Sequence, residues 1–350
     1  MIDARHARVA EGLSELELWL GDQIRGGLAA SGPEGWSAMA RRLVDAQAPG
    51  AAGLVSRLVR LPASGAWPER LLAEYSLLRL LAVAYRRRAH LPPPLARTVL
   101  TRVGFPVARA EVLAAAPVRD HWRVVGSRVE EEDRVTAQRV WLRGRDSGRA
   151  ALLLAYVGPG RPLPDAPAVG ACLEIDLRFY PGAAPLRALA SIPDVPFPGA
   201  VLDASVPGVP VPVPGVPVSG VSVADGGSGG LCATTCSHAS SATACSCASS
   251  AAACADGPPI GEVPAGVSAE QALSEVGAAL AADPWTDSWP VVVTGTVAEL
   301  GGLGFHWSFH DPWRLIAVSG GRPVTVAAEW TPYGLRPMTV WDEDGSAVVL

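Results

Sequence analysis

The sequence predicts an α+β protein in four successive parts: a helical region at 1–115, an antiparallel β meander at 116–191, a disordered linker at 192–264, and a small β-rich domain at 265–350. Three observations predict it. Apolar residues recur at helical steps in the first part and at strand steps after Pro117. The 37 glycines and 32 prolines make up about a fifth of the chain, and many of them crowd into one stretch after residue 190, as expected of a linker between folded parts. With 350 residues, the chain is long enough to bury two or three cores.

The first helix is marked by Val9, Leu13, Leu16, Leu20, Ile24 and Leu28, an apolar stripe at steps of three and four that Gly26-Gly27 and Gly32-Pro33 interrupt. Residues 36–50 repeat the pattern through Trp36, Met39, Leu43 and Gln47, and end at Pro49-Gly50. A shorter piece runs through Leu54, Leu58 and Leu61. The strongest helix follows Trp67-Pro68, where proline suits the first turn, and buries Leu71, Tyr75, Leu78 and Tyr85. A last helix or two lie between Pro94 and Ala115.

Three consecutive strands follow, HWRVVGSRV, RVTAQRVWLRG and RAALLLAYVG, with turns at Glu130–Asp133 and at Arg145–Gly148. A fourth, ACLEIDLRFYPG, alternates Cys172, Glu174, Asp176 and Arg178 with Leu173, Ile175, Leu177 and Phe179, one wet face and one dry. Between 192 and 264 neither period survives. The stretch VPGVPVPVPGVPVSGV favours turns and polyproline II, and DGGSGG and an Ala/Ser/Cys tract follow it. Order resumes with a helix that Ser268 caps. WPVVVTGTVAEL, LGFHWSFH, WRLIAVSGG, PVTVAAEWTP and LRPMTVWDEDGSAVVL then read as short strands of a small sheet or barrel.

Composition narrows the function classes. The net charge of −5 provides no global basic field to hold nucleic acid. Every basic side chain other than histidine is arginine, with no lysine and no asparagine anywhere. The charged start MIDARHARVAEG lacks the apolar core of a signal peptide, and no run of about 18 uncharged apolar residues occurs, so no membrane partner is expected. The expected location is the cytoplasm, where cysteines stay reduced unless they bind metal.

Few motifs survive scrutiny. GGSGG at 226–230 fits the G-x-S-x-G pattern around Ser228, but low-complexity flanks cannot build the strained strand-to-helix turn that a nucleophile needs. His306 and His310 have the spacing of a helical metal pair, yet their aromatic, Gly-rich surroundings argue strand, which would hold them about 13 Å apart. The carboxylates of Glu130–Asp133 are expected to be solvated at a hairpin tip. Phosphate-binding loops of the Walker and dinucleotide types are absent. The expectation is a protein without catalytic residues and without a cofactor. Cys236, His238, Cys245 and Cys247 are the candidate zinc ligands, because C-x-H and C-x-C pairs can together complete a tetrahedron. The tract around them holds no apolar residue larger than alanine between Cys232 and Ala255, so no packed shell would orient those ligands.

Several stretches in one order resemble the bacterial SWIM zinc-finger family, in the region that follows its finger. They are ARVAEGLSELELWL, WSAMARRLVDAQAPG, ERLLAEYSLLRLL, RVGFP, PVRDHWRVVGSRVEEEDRVTAQRVWLRGRDSGR and FYPGAAPLRAL, then ADPWTDSWP and PWRLIAVSGGRPVTVAAEWTPYGLRPMTVWD. The family's finger is C-x-C followed by C-x-H, and this chain has no cysteine before Cys172. The half-motifs at Cys236-x-His238 and Cys245-x-Cys247 stand in the reverse order. The resemblance implies a non-enzymatic interaction or scaffold region with an unknown protein partner, truncated or split from a finger encoded upstream. Nucleic acid would be reached only through that missing finger. The alternative is a binder of nucleic acid or protein that carries zinc on the displaced tract.

Overall fold

In the computed structural model the described residues are 2–30, 32–61, 66–132, 135–191, 263–306, 309, 312–342 and 344–350. The expected linker and its cysteine tract lie almost wholly outside them.

The helical region consists of α1 (Ile2–Gly26), α2 (Pro33–Asp45), α3 (Pro49–Arg57), α4 (Trp67–Arg86), α5 (Pro93–Val103) and the short α6 (Arg109–Ala114). Four of these begin with proline in the first turn, where its missing N–H would have had no helical partner. The predicted stripe of α1 is buried through Val9, Leu13, Leu16 and Leu20, while Ile24 at its end is exposed. These side chains meet Met39 and Leu43 of α2, and Leu71, Tyr75, Leu78 and Tyr85 of α4. Helices α1 and α4 run antiparallel, tied by His6 Nδ1 and Tyr85 Oη at 2.6 Å at one end and by Glu17 to Arg86 at 2.7 Å midway. Gly50 of α3 and Gly104 after α5 touch backbone to backbone. A Cβ on Gly50 would stand 2.3 Å from the Arg102 carbonyl, and Gly104 has φ +120°.

A five-stranded antiparallel sheet follows: β1 (Val118–Glu132), β2 (Val135–Gly144), β3 (Ala150–Val157), β4 (Cys172–Phe179) and β5 (Ala188–Ser191). The order is β3-β2-β1-β4-β5, so the meander of the first three strands is as expected and β4 returns to the free edge of β1. The sheet curls until its edges meet, Leu152 of β3 donating its N–H to the Leu186 carbonyl at 2.9 Å. Trp122, Val124, Val140, Leu142, Leu153, Leu177 and Phe179 fill its concave side.

The C-terminal part contains α7 (Ala269–Ala282), β6 (Trp289–Gly295), α8 (Val297–Gly302), α9 (Trp313–Ser319), β7 (Val324–Thr331), β8 (Gly334–Trp341) and β9 (Ala347–Val349). Its four strands form an antiparallel sheet in sequence order. Ser268 caps α7 as expected, in a reciprocal box with Gln271. Two stretches read as strand are helical. Thr296 and Glu299 form a second capping box that starts α8 inside WPVVVTGTVAEL. WRLIAVS is α9, ended by Gly320 in the left-handed conformation, and Leu315 and Val318 turn one apolar edge to the core.

The two sheets pack directly on one another. Val125, Trp141 and Leu152 on the convex face of the first meet Val292, Ala327, Met338 and Trp341 of the second. Each sheet has a β-bulge here, at Val124/Gly126 and at Ala327/Ala328. Gly126 is required for the approach, since a Cβ would stand 2.7 Å from Met338 Sδ. Residues 1–191 and 263–350 produced from separate messages in one cell are therefore expected to co-purify as an equimolar complex, with a tag on one recovering the other. Recovery of the tagged fragment alone would show that the sheets depend on the intervening chain.

Candidate functional site

The densest set of charged side chains lies at the edge of this inter-sheet contact. The bulge at Val124/Gly126 resets the alternation of β1, so Arg128 and Glu130 fall on the same convex face as Gly126. Arg128 stands opposite Arg139 of β2 in the register, and Glu329 of β7 opposite Arg336 of β8. The result is three guanidinium groups around two carboxylates. Arg128 Nη1 donates to Glu329 Oε2 at 2.6 Å, and Ser288 Oγ donates to Glu329 Oε1 at 2.6 Å. Glu130 lies 3.2 Å from Arg139 Nε and 3.5 Å from Arg336 Nη1. Glu329 is the most enclosed, with 3 % of its side chain exposed.

Glu130 corrects the expectation of a solvated acidic turn. Glu130 through Glu132 complete β1, and the Glu130 carboxylate binds Arg139 of its own sheet and Arg336 of the other. Asp133 lies outside the described residues. No sequence pattern shows that a bulge six residues earlier would turn Glu130 toward a second sheet.

Electrostatics follow from the packing. His306 is buried beside the cluster, and its Nε2 accepts from Arg336 Nη2 at 3.0 Å, so the neutral ring carries its proton on Nδ1. Burial, with the Arg336, Arg128 and Arg70 cations, pushes its pKa down to about 4. Burial also holds Arg336 below the usual arginine range, Arg128 adding to the effect. Burial opposes the Arg139 cation as well, but Glu130 and Glu329 outweigh it and raise its pKa. The second histidine of the sequence pair, His310, lies outside the described residues.

Further ties join this centre to the helices. Tyr333 Oη donates to Glu74 of α4 at 2.6 Å, while the Arg70 guanidinium lies 5.7 Å from the centre of the Tyr333 ring. Burial and the Glu74 carboxylate together raise the Tyr333 phenol well above its ordinary range. Arg143 of β2 grips Glu275 of α7 with both terminal nitrogens, at 2.5 and 2.7 Å, and Trp289 Nε1 donates to the same carboxylate at 2.8 Å. Burial works against Glu275, yet Arg143 and Trp289 hold its pKa below the ordinary value. Between α7 and β6 the segment Asp283–Ser288 reaches into the bundle. Trp285 joins the helical core, its Nε1 donating to the Leu77 carbonyl at 3.0 Å, and Arg57 and Arg102 hold Asp287 at 3.1 and 3.6 Å.

Among the described residues one other cluster has the composition of a metal site: Asp120, His121 and Asp146, whose ligand atoms lie within 4.8 Å of one another. The Asp120 oxygens are already engaged. Oδ1 accepts from the His121 and Asp146 N–H groups at 2.6 and 3.0 Å, and Oδ2 from the Ser147 N–H and hydroxyl at 3.1 and 2.5 Å. Burial opposes these four bonds, but they prevail and lower the Asp120 pKa. The cluster is a lock on the Arg145–Gly148 turn. The expected zinc ligands Cys236, His238, Cys245 and Cys247 lie outside the described residues, as does Ser228.

Together the fold and this centre define a helical bundle fastened to two stacked antiparallel sheets by charged and aromatic ties. Residues 4–103, the stretch from α1 to α5, match the family model of the SWIM-associated four-helix bundle domain. The N-terminal part of the chain is thus similar to that domain. No curated protein and no solved structure matches the chain. No helix of the described residues is long and apolar enough to cross a membrane.

Proposed function

We propose that the chain is a non-enzymatic interaction scaffold of the SWIM type, cytoplasmic, acting on a protein partner in concert with a SWIM zinc finger. The match of the bundle at 4–103 carries this reading. The chemistry of the central cluster supports it. Glu329, Glu130, Glu74, Glu275 and Asp287 each face a donor on a different element, so their charge is spent on holding elements together. The test titrates the purified chain with a polypeptide that carries a SWIM finger, C-x-C and then C-x-H. Stoichiometric binding is expected in titration calorimetry, and a finger polypeptide that does not bind would overturn the reading.

A second reading rests on the two half-motifs of the displaced tract: a zinc-dependent binder of nucleic acid or protein. Small residues fill every gap between those cysteines, so chelation there would rest on proximity alone. Purified, reduced protein is expected to hold far less than stoichiometric zinc. Replacing Cys236, His238, Cys245 and Cys247 by Ser or Ala is expected to leave its Tm unchanged. Stoichiometric zinc, lost together with stability in that variant, would promote this second reading over the first.

A further inference from the structure

The inter-sheet cluster has more cation and more donor than the protein itself satisfies. Among the described residues the ion pairs of Arg128, Arg139 and Arg336 go to Glu130 and Glu329, three cations to two carboxylates, which leaves one excess positive charge within this set. Four buried polar atoms of the same interface make no aligned hydrogen bond among the described residues: Arg336 Nε, Trp141 Nε1, Thr339 Oγ1 and Arg139 Nε, whose 3.2 Å contact with Glu130 is an ion pair off hydrogen-bond alignment. Trp141 and Thr339 are fully enclosed. Their placement is fixed by the fold. Trp141 belongs to the inter-sheet apolar contact and stands two residues from Arg139 on the same face of β2. Thr339 pairs with Ala327 of that contact, and Arg336 pairs with Glu329. The Arg128 guanidinium lies 5.6 Å from the centre of the Trp141 ring, which links the charged edge to the apolar centre. A fifth such atom, Gln138 Oε1, alternates with Arg139 onto the other face of β2 and is not part of the set.

Three of the four atoms can only donate, and the threonine hydroxyl donates as readily as it accepts. Buried donors without acceptors are costly. A water molecule among them would accept but leave its own hydrogens to place, whereas an anion answers every donor and also the excess charge. The carboxylates of Glu130 and Glu329 repel an anion at the charged edge, so the favoured position is on the Trp141 and Thr339 side of the guanidinium groups. The close contact of Gly126 with Met338 limits its size. We infer that the two sheets enclose a binding site for one halide-sized monovalent anion, held by Trp141, Thr339, Arg139 and Arg336.

The test compares the full-length protein in sodium chloride, sodium bromide and sodium gluconate at one pH and one ionic strength, with Tm as the readout. Tm is expected to be higher in chloride and bromide than in gluconate, whose anion is too large to enter, and to climb with halide concentration. Trp141→Phe keeps the ring and removes the N–H, and Thr339→Val keeps the shape and removes the hydroxyl. Each is expected to lose most of the halide-dependent rise while remaining folded in gluconate. Equal Tm in all three salts, or a halide rise that both variants retain, would overturn the site. Were Trp141→Phe unable to fold, a bromide-soaked crystal of the unaltered protein decides. An anomalous peak beside Trp141 and Thr339 supports the site, and its absence there refutes it.

Discussion

Trp285→Ala is expected to destabilise the protein by about 3–5 kcal/mol, the range for removing a large aromatic side chain from a packed core. The residue belongs to the C-terminal part by sequence and to the helical core by position, with its indole at the Leu77 carbonyl of α4. Its side chain is 6 % exposed. Truncation leaves a cavity in the helical core beside α4 and also frees the Leu77 carbonyl that the indole N–H satisfies. The neighbouring Asp283 adds to the cost. Burial raises its pKa despite Arg102 nearby, and its Oδ1 accepts the Trp285 backbone N–H at 3.0 Å, so the loop is held by groups that need one another. Urea denaturation followed by far-UV circular dichroism measures the effect, with Trp313→Ala as control. Trp313 is 72 % exposed, and its loss is expected to shift stability by no more than about 0.5 kcal/mol. A Trp285 loss as small as the control's would mean that the C-terminal part does not brace the bundle.

That bracing was only partly legible in the sequence. The helices were readable because period and punctuation agree: the α1 stripe, the prolines that open α2 to α5, and Gly26-Gly27. The first four strands were readable through their alternation, and Ser268 through its capping chemistry. Failures came where local signals are short. WRLIAVS has seven residues, too few for its period to be distinguished from a strand, and only the glycine that ends it indicates helix. The candidate site was hidden for a different reason. Arg128, Glu130, Arg139, Glu329 and Arg336 are spread over more than two hundred positions, and their meeting depends on two bulges and a sheet-to-sheet contact. A run of glutamates at a hairpin looks solvated unless its opposing surface is known. ADPWTDSWP carried a usable signal: two tryptophans and two aspartates in nine residues are far more than a surface loop needs.

Glu329→Ala is expected to cost about 3–5 kcal/mol, the penalty for leaving buried charge without its partner. Its carboxylate lies 2.6 Å from Arg128 and 3.6 Å from Arg336, and it accepts the Ser288 hydroxyl, so one truncation strands three donors. It also doubles the excess positive charge, since three guanidinium groups would then face Glu130 alone. The size of the loss does not measure the worth of the ion pair, because desolvation of both partners is already included in the native state. Arg128→Met together with Glu329→Met separates the two effects. The double variant restores the native excess of one positive charge and replaces the pair by apolar side chains beside Trp141. It is expected to be clearly more stable than Glu329→Ala, and within about 1–2 kcal/mol of the unaltered protein. Chemical denaturation of the three proteins measures this directly. A double variant as unstable as the single would show that Arg128 and Glu329 hold the sheets by specific geometry, whereas recovery assigns the loss to unpaired charge in a closed interface.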